Sequence, residues 1–89
     1  MGNLVGLEGT NGREMEAVFI KKPSDIRKIL RAGKGATTAD DNGAINIWRD
    51  DEGMIRCDAM AYMRSLEKKK YKTLTEAEKW VAKWLNKIR

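Results

Sequence analysis

Thr73-Leu-Thr-Glu-Ala-Glu-Lys-Trp-Val-Ala-Lys-Trp-Leu-Asn-Lys-Ile88 decides the fold. Its apolar residues Ala77, Trp80, Val81, Trp84, Leu85 and Ile88 fall at offsets 0, 3, 4, 7, 8 and 11, one continuous stripe at helical period. Thr73 and Glu76 stand at capping-box spacing, where each side chain satisfies an orphan amide of the other. The spacing predicts a helix over 74–88 with a single face to bury. Such a stripe needs a layer to lie on, and the residues before it supply strands.

Ala44–Asp50 reads as a strand, Asp51-Glu52-Gly53 as a turn, and Met54–Ser65 as a long strand. Period two gives the long strand an inward set of Ile55, Cys57, Ala59, Ala61 and Met63. Its outward set is Arg56, Asp58, Met60, Tyr62 and Arg64. A turn around Leu66-Glu67 then leads to a short third strand, Lys69–Lys72. Further upstream, residues 3–8 and 13–21 flank Gly-Thr-Asn-Gly, a hairpin signal because Asn-Gly accepts positive φ cheaply. Val18, Phe19 and Ile20 are the expected core of that half. After Pro23, Ser24 is placed to cap a short helix ending at Gly33, with Ile26, Ile29 and Leu30 on one face. Residues 33–43 show no periodicity and read as a long loop.

The expected architecture is α+β, one domain over 1–89 in the order ββαββ(β)α. A mainly antiparallel sheet carries the C-terminal amphipathic helix on one face. Its pieces are a hairpin plus short helix (1–32), the loop (33–43) and a basic sheet–helix unit (44–89).

Composition sets the exclusions. Eighty-nine residues, 42% hydrophobic and 35% charged, fit one modest globular core. With no histidine and one cysteine, a disulfide within the chain, a His/Cys zinc site and a catalytic histidine are excluded. The apolar runs are a few residues long, so no membrane span is expected. No secretory leader is read in the opening residues, and the expected setting is cytoplasmic. Net charge is +5, unevenly spread. Residues 1–52 hold eight Lys/Arg against nine Asp/Glu, and residues 53–89 hold ten against four. The whole excess lies in the second half, which points to an acidic partner: nucleic acid, DNA or RNA, or an acidic protein surface. Lysine-rich surfaces also serve solubility alone.

Motifs that resemble catalytic or cofactor sites fail on spacing. Gly33-Lys34-Gly35-Ala-Thr-Thr lacks the P-loop spacing and follows a helix where a strand is required. The acidic stretches 40–43 and 50–53 lack the alternating ligands of a calcium loop. Asp58 and Glu67-Lys68-Lys69 echo a metal-dependent nuclease set, but Asp58 falls outward while Glu67 sits in a turn. Cys57 falls inward, as a buried structural thiol does. No catalytic residue, metal ligand or cofactor is assigned, and the chain reads as non-enzymatic.

The candidate binding set is Trp48, Arg56, Tyr62, Arg64, Lys70 and Lys72. Ile45 and Ile47 face inward, so Trp48 falls on the opposite sheet face with those cations. Aromatics interleaved with cations fit base stacking and phosphate contact, and equally a protein interface. Two arrangements follow for Trp48: open on that face, or covered by the N-terminal half as a second core residue.

Tyr71-Lys-Thr73-Leu-Thr-Glu76-Ala77 matches an aromatic-x-Thr-x-x-Glu-Ala signature joining a last strand to a helix. In this, residues 44–88 resemble the three-stranded-sheet-plus-helix DNA-binding domains of the phage integrase arm-type and plant ethylene-response kinds. The Gly-x-Phe that the family carries before this threonine is absent, and Lys69 and Lys70 precede Tyr71. The resemblance implies that the outward sheet face, with Trp48, Arg56, Tyr62 and Arg64, enters the major groove. The function expected is a small basic nucleic-acid-binding accessory protein. The alternative is an adaptor or inhibitor of phage or mobile-element type, using the same face on an acidic host protein.

Overall fold

The computed structural model of the chain describes residues 3–6, 14–61 and 64–89. Their order is β1 (Asn3–Gly6), β2 (Glu14–Phe19), α1 (Asp25–Arg31), β3 (Gly35–Asp40), β4 (Gly43–Arg49), β5 (Ile55–Ala61), β6 (Arg64–Tyr71) and α2 (Leu74–Ile88). The six strands form one sheet in sequence order, antiparallel throughout except for the parallel β2–β3 pair. The class is α+β with a C-terminal helix on one sheet face, as the pattern predicts.

Helix α2 starts where its cap requires. Thr73 is extended, its Oγ1 accepts the Glu76 backbone N–H at 3.2 Å, and its hydroxyl donates to the Glu76 carboxylate at 2.9 Å. The cap pair thus closes through the hydroxyl. All six stripe residues are buried, against Ile45, Ile47, Ile55, Cys57 and Ala59 of β4 and β5. Ile26 and Leu30 of α1 join the same cluster, and an Arg27–Glu78 ion pair links the two helices. Both helices therefore lie on one side of the sheet. Among the described residues no helix covers the other side.

Several expectations are corrected. Residues 33–43 are not a loop, because Gly35–Asp40 is strand β3 in the middle of the sheet. Its side chains are small, so burying Ala36 creates no hydrophobic alternation to read. The chain reaches β3 directly through Gly33, at φ +77°. There the Gly33 amide bonds to the Leu30 carbonyl at 3.0 Å and the Lys34 amide to the Ile29 carbonyl at 3.1 Å, a Schellman closure. The element order is accordingly ββαββββα.

Ser24 does not cap α1, since its backbone is already helical and its side chain makes no capping bond. The Asp25 carboxylate instead accepts the Lys21 and Lys22 amides at 2.9 and 3.1 Å, and these bonds hold it below its ordinary pKa.

The long strand expected over 54–65 is two strands, β5 ending at Ala61 and β6 beginning at Arg64. No Gly, Pro, Asn or Asp marks the break in sequence. Leu66 and Glu67, expected in a turn, lie inside β6, next to a register shift at Ala59/Met60. The strand expected at 69–72 thus begins at Arg64 and ends at Tyr71. Nor do Val18, Phe19 and Ile20 form a core trio: Ile20 is buried, Val18 half-buried, and Phe19 is 71% exposed. β1 and β2 pair antiparallel as expected, while the turn at residues 9–12 lies outside the described residues.

Candidate nucleic-acid interface

Strand alternation and register position the helix-free face. On β4, Ile45 and Ile47 enter the core, so Asn46 and Trp48 project to the other side. Register then sets Trp48 beside Arg56 and Arg56 beside Lys70, one row across β4, β5 and β6. A parallel row runs Phe19, Thr37, Asn46, Asp58, Lys68 from β2 to β6. The Thr37 hydroxyl bonds to Asn46 Oδ1 at 2.9 Å, and the Ser65 hydroxyl donates to Asp58 Oδ1 at 3.0 Å.

Of the six candidate residues, the structure brings Trp48, Arg56 and Lys70 together. Lys72 is exposed in the turn between β6 and α2, just past the end of the row. Arg64 does not join them. It sits opposite Ala61, in phase with Ala59 and hence with the helix-covered side, because the shift after Ala59 changes which β6 residues face outward. Tyr62 lies outside the described residues.

Trp48 meets neither expected arrangement in full. It projects to the helix-free face and stands outside the core cluster, yet it is only 4% exposed. Its indole N–H has no hydrogen-bond partner among the described residues. Arg56 donates from Nε to Asp50 Oδ2 at 3.0 Å. Asp50 also accepts the Glu52 and Met54 amides through Oδ1, both at 2.9 Å, and so braces the β4–β5 turn. Burial pushes the Asp50 pKa up, but the Met54 amide, Arg56 and the Glu52 amide outweigh it and hold the carboxyl below its ordinary value.

The other side of β6 is built around Glu67. One carboxylate oxygen, Oε1, accepts the Trp80 N–H at 2.7 Å and the Trp84 N–H at 3.2 Å, with Lys83 Nζ at 3.8 Å. The indole rings lie 6.0 Å apart, and Lys87 Nζ sits 4.6 Å from the Trp84 ring centroid. An open groove of about 420 Å³ between β6 and α2 is lined by Lys69, Tyr71, Lys79 and Lys83 beside Glu67 and Glu76.

β6 is the sheet's last strand. Residues 64–89 hold nine Lys/Arg against three Asp/Glu, whereas residues 1–63 hold nine against ten. The positive excess therefore belongs to this edge strand and the helix behind it.

No protein-family model, curated protein or solved structure matches the chain.

Among the described residues the remaining chemistry-bearing groups do not converge. Asp58 faces outward opposite Lys68, whereas Glu67 pairs with Ala59 and is held by the two indoles, so these carboxylates point to opposite faces. Burial pushes the Cys57 thiol up to about 12, which keeps it protonated at neutral pH. Among the described residues no three acidic or cysteine side chains gather to hold a metal. Among them, too, no helix is long and apolar enough to cross a membrane.

Sequence reasoning missed Phe19 and underrated Glu67. Phe19 sits between two other apolar residues, so its side is set only by the pairing of Val18 with Ala36 and of Phe19 with Thr37. Glu67 meets the two indoles because β6 runs through it, and no turn residue or apolar period in the sequence marks that.

Proposed function

We propose that this protein is a non-enzymatic nucleic-acid-binding accessory protein that lays a phosphate backbone across the helix-free face of β4–β6 and along the β6 edge. One observation carries the reading. Both helices pack on one side, and the opposite side presents Arg56 and Lys70 in adjacent register on the strands leading to the edge where the charge excess is concentrated. Lys72 extends this line into the turn. Three antiparallel strands followed by a helix, with no helix on the outer face among the described residues, also support it, since this is the element order that the resembled DNA-binding domains use. Trp48, only 4% exposed, is not assigned a stacking role in this reading.

The test is salt-dependent binding, followed by fluorescence anisotropy. Three phosphate contacts from Arg56, Lys70 and Lys72 give a log–log salt slope of about −2.7 on duplex DNA and about −2.1 on a single strand. Lys70→Gln lowers its magnitude by about one contact's worth, 0.7–0.9. Lys79→Gln, on the helix side, leaves it unchanged. Equal weakening by every lysine substitution contradicts a defined face, and absence of binding at low salt contradicts the reading.

A second reading has its own observation. β6, eight residues long, is the last strand in the sheet order, and Leu66 on it is 44% exposed. An adaptor or inhibitor docking an acidic protein surface would use that edge. A partner captured from lysate after nuclease treatment, and lost on Lys70→Glu, supports this reading over the first.

A further inference from the structure

We infer that Phe19 is a base-stacking platform, and that the ligand of the helix-free face is a single-stranded nucleic acid crossing it from β2 towards β6. The inference rests on the nucleic-acid reading above and names the form of nucleic acid. Phe19 is 71% exposed, while Trp48, Trp80 and Trp84 are all buried. Its side is fixed by its neighbours: Val18 pairs with core residue Ala36, so Phe19 projects with Thr37, whose hydroxyl is bonded to Asn46 on the helix-free side. Among the described residues, the β1–β2 pairing runs from Gly6 opposite Glu14 to Asn3 opposite Ala17. The ring thus stands on the same face as Arg56 and Lys70.

The two rows divide the work by charge. In the Phe19 row, Thr37 and Asn46 follow the ring with their side chains bonded to each other, and then come buried Asp58 and, opposite it, Lys68. The Asp58 carboxylate offsets the Lys68 charge opposite it, so that row suits bases, and phosphates fall to the neighbouring row with its two cations, Arg56 and Lys70. Phe19 lies four strand spacings from β6, about 19 Å, a span for several nucleotides. A duplex keeps its base faces stacked inside, whereas an unpaired strand can turn a base onto an aromatic ring and leave its backbone to cations.

The experiment compares wild type, Phe19→Ala, Phe19→Leu and Phe19→Trp by anisotropy on labelled oligothymidylate and oligouridylate of about 12 nucleotides and on a duplex of equal length. The expected result is tighter binding to single strands than to duplex. Phe19→Ala and Phe19→Leu each lose about tenfold in single-strand affinity, Phe19→Trp keeps it, and the salt slope is the same in all four because no cation is removed. Urea midpoints stay level, since an exposed ring contributes little to the core. Wild-type affinity in Phe19→Ala overturns the inference while leaving salt-dependent backbone binding intact. Wild-type affinity in Phe19→Leu also overturns it, marking an apolar contact in place of stacking. Absence of binding by wild type to any probe at low salt overturns both this inference and the reading beneath it.

Discussion

Replacing Glu67 with alanine removes the acceptor on which the β6–α2 junction is built. One carboxylate oxygen takes both indole N–H groups, from Trp80 at 2.7 Å and Trp84 at 3.2 Å. A hydrogen bond to a charged acceptor contributes about 1.5–3 kcal/mol, and a buried donor left without a partner carries its full desolvation cost. Two such bonds set an upper figure of about 3–6 kcal/mol. The Glu67 side chain is 26% exposed and both bonds share one oxygen, so water recovers part of that and the expected loss is about 2–3 kcal/mol. Against a total of about 4–13 kcal/mol for a chain of this length, the loss is large. Glu67→Gln keeps an acceptor oxygen without the charge and costs about 1 kcal/mol. Urea unfolding at pH 7 reads both variants, the midpoint moving with an unchanged m-value. The pH dependence supplies an independent check. The Trp84 and Trp80 N–H groups, and then the Lys83 and Lys69 charges, lower the Glu67 pKa from its ordinary 4.5 against the opposing effect of burial. A depressed folded-state pKa means that the stabilisation is complete above the ordinary value and is lost as pH falls from there through the folded value. The gap between wild type and Glu67→Gln therefore holds from pH 7 to about 5.5 and narrows below about 4.5. A Glu67→Ala midpoint within about 0.5 kcal/mol of wild type would refute the reasoning.

Three further outcomes follow from other parts of the fold. Gly43→Ala destabilises by about 1–3 kcal/mol, because the residue sits at φ +149° and an added Cβ would lie 2.6 Å from the Met60 carbonyl oxygen; a urea midpoint checks it. Trp48→Phe removes a buried N–H that has no partner among the described residues, so its cost stays below about 1.5 kcal/mol, whereas Trp48→Ala costs about 3–5 kcal/mol in the same assay. Cys57, with its thiol pushed up to about 12, resists a disulfide-exchange reagent at pH 8 in the folded protein and reacts at once in denaturant.

The elements legible in the sequence are those whose burial follows a clean period. The stripe from Ala77 to Ile88 specifies α2 and its buried face, and Ile45/Ile47 with Ile55/Cys57/Ala59 specify the inward sides of β4 and β5. β3 was illegible because a strand between two neighbours and under α1 buries Ala36, too small to register as a hydrophobic position. The break between β5 and β6 was illegible for want of a turn residue, and it moved Arg64 to the opposite side from the one that uninterrupted alternation gives it. For the site, alternation gave the phase of Trp48 and Arg56 correctly. How deeply Trp48 is buried, and on which side Phe19 stands, depend on pairings between distant segments that local pattern does not encode.

Amide chemical-shift mapping on ¹⁵N-labelled protein tests most directly whether the helix-free face of β4–β6 is the surface that meets nucleic acid. Titration with an unlabelled oligothymidylate is predicted to move the amides of Asn46, Trp48, Arg56, Asp58 and Lys70, together with Phe19 and Thr37, while those of Lys79, Lys83 and Lys87 on α2 stay in place. Shifts concentrated on α2 and the Lys69–Lys83 groove, with the β4–β5 amides unmoved, would contradict it.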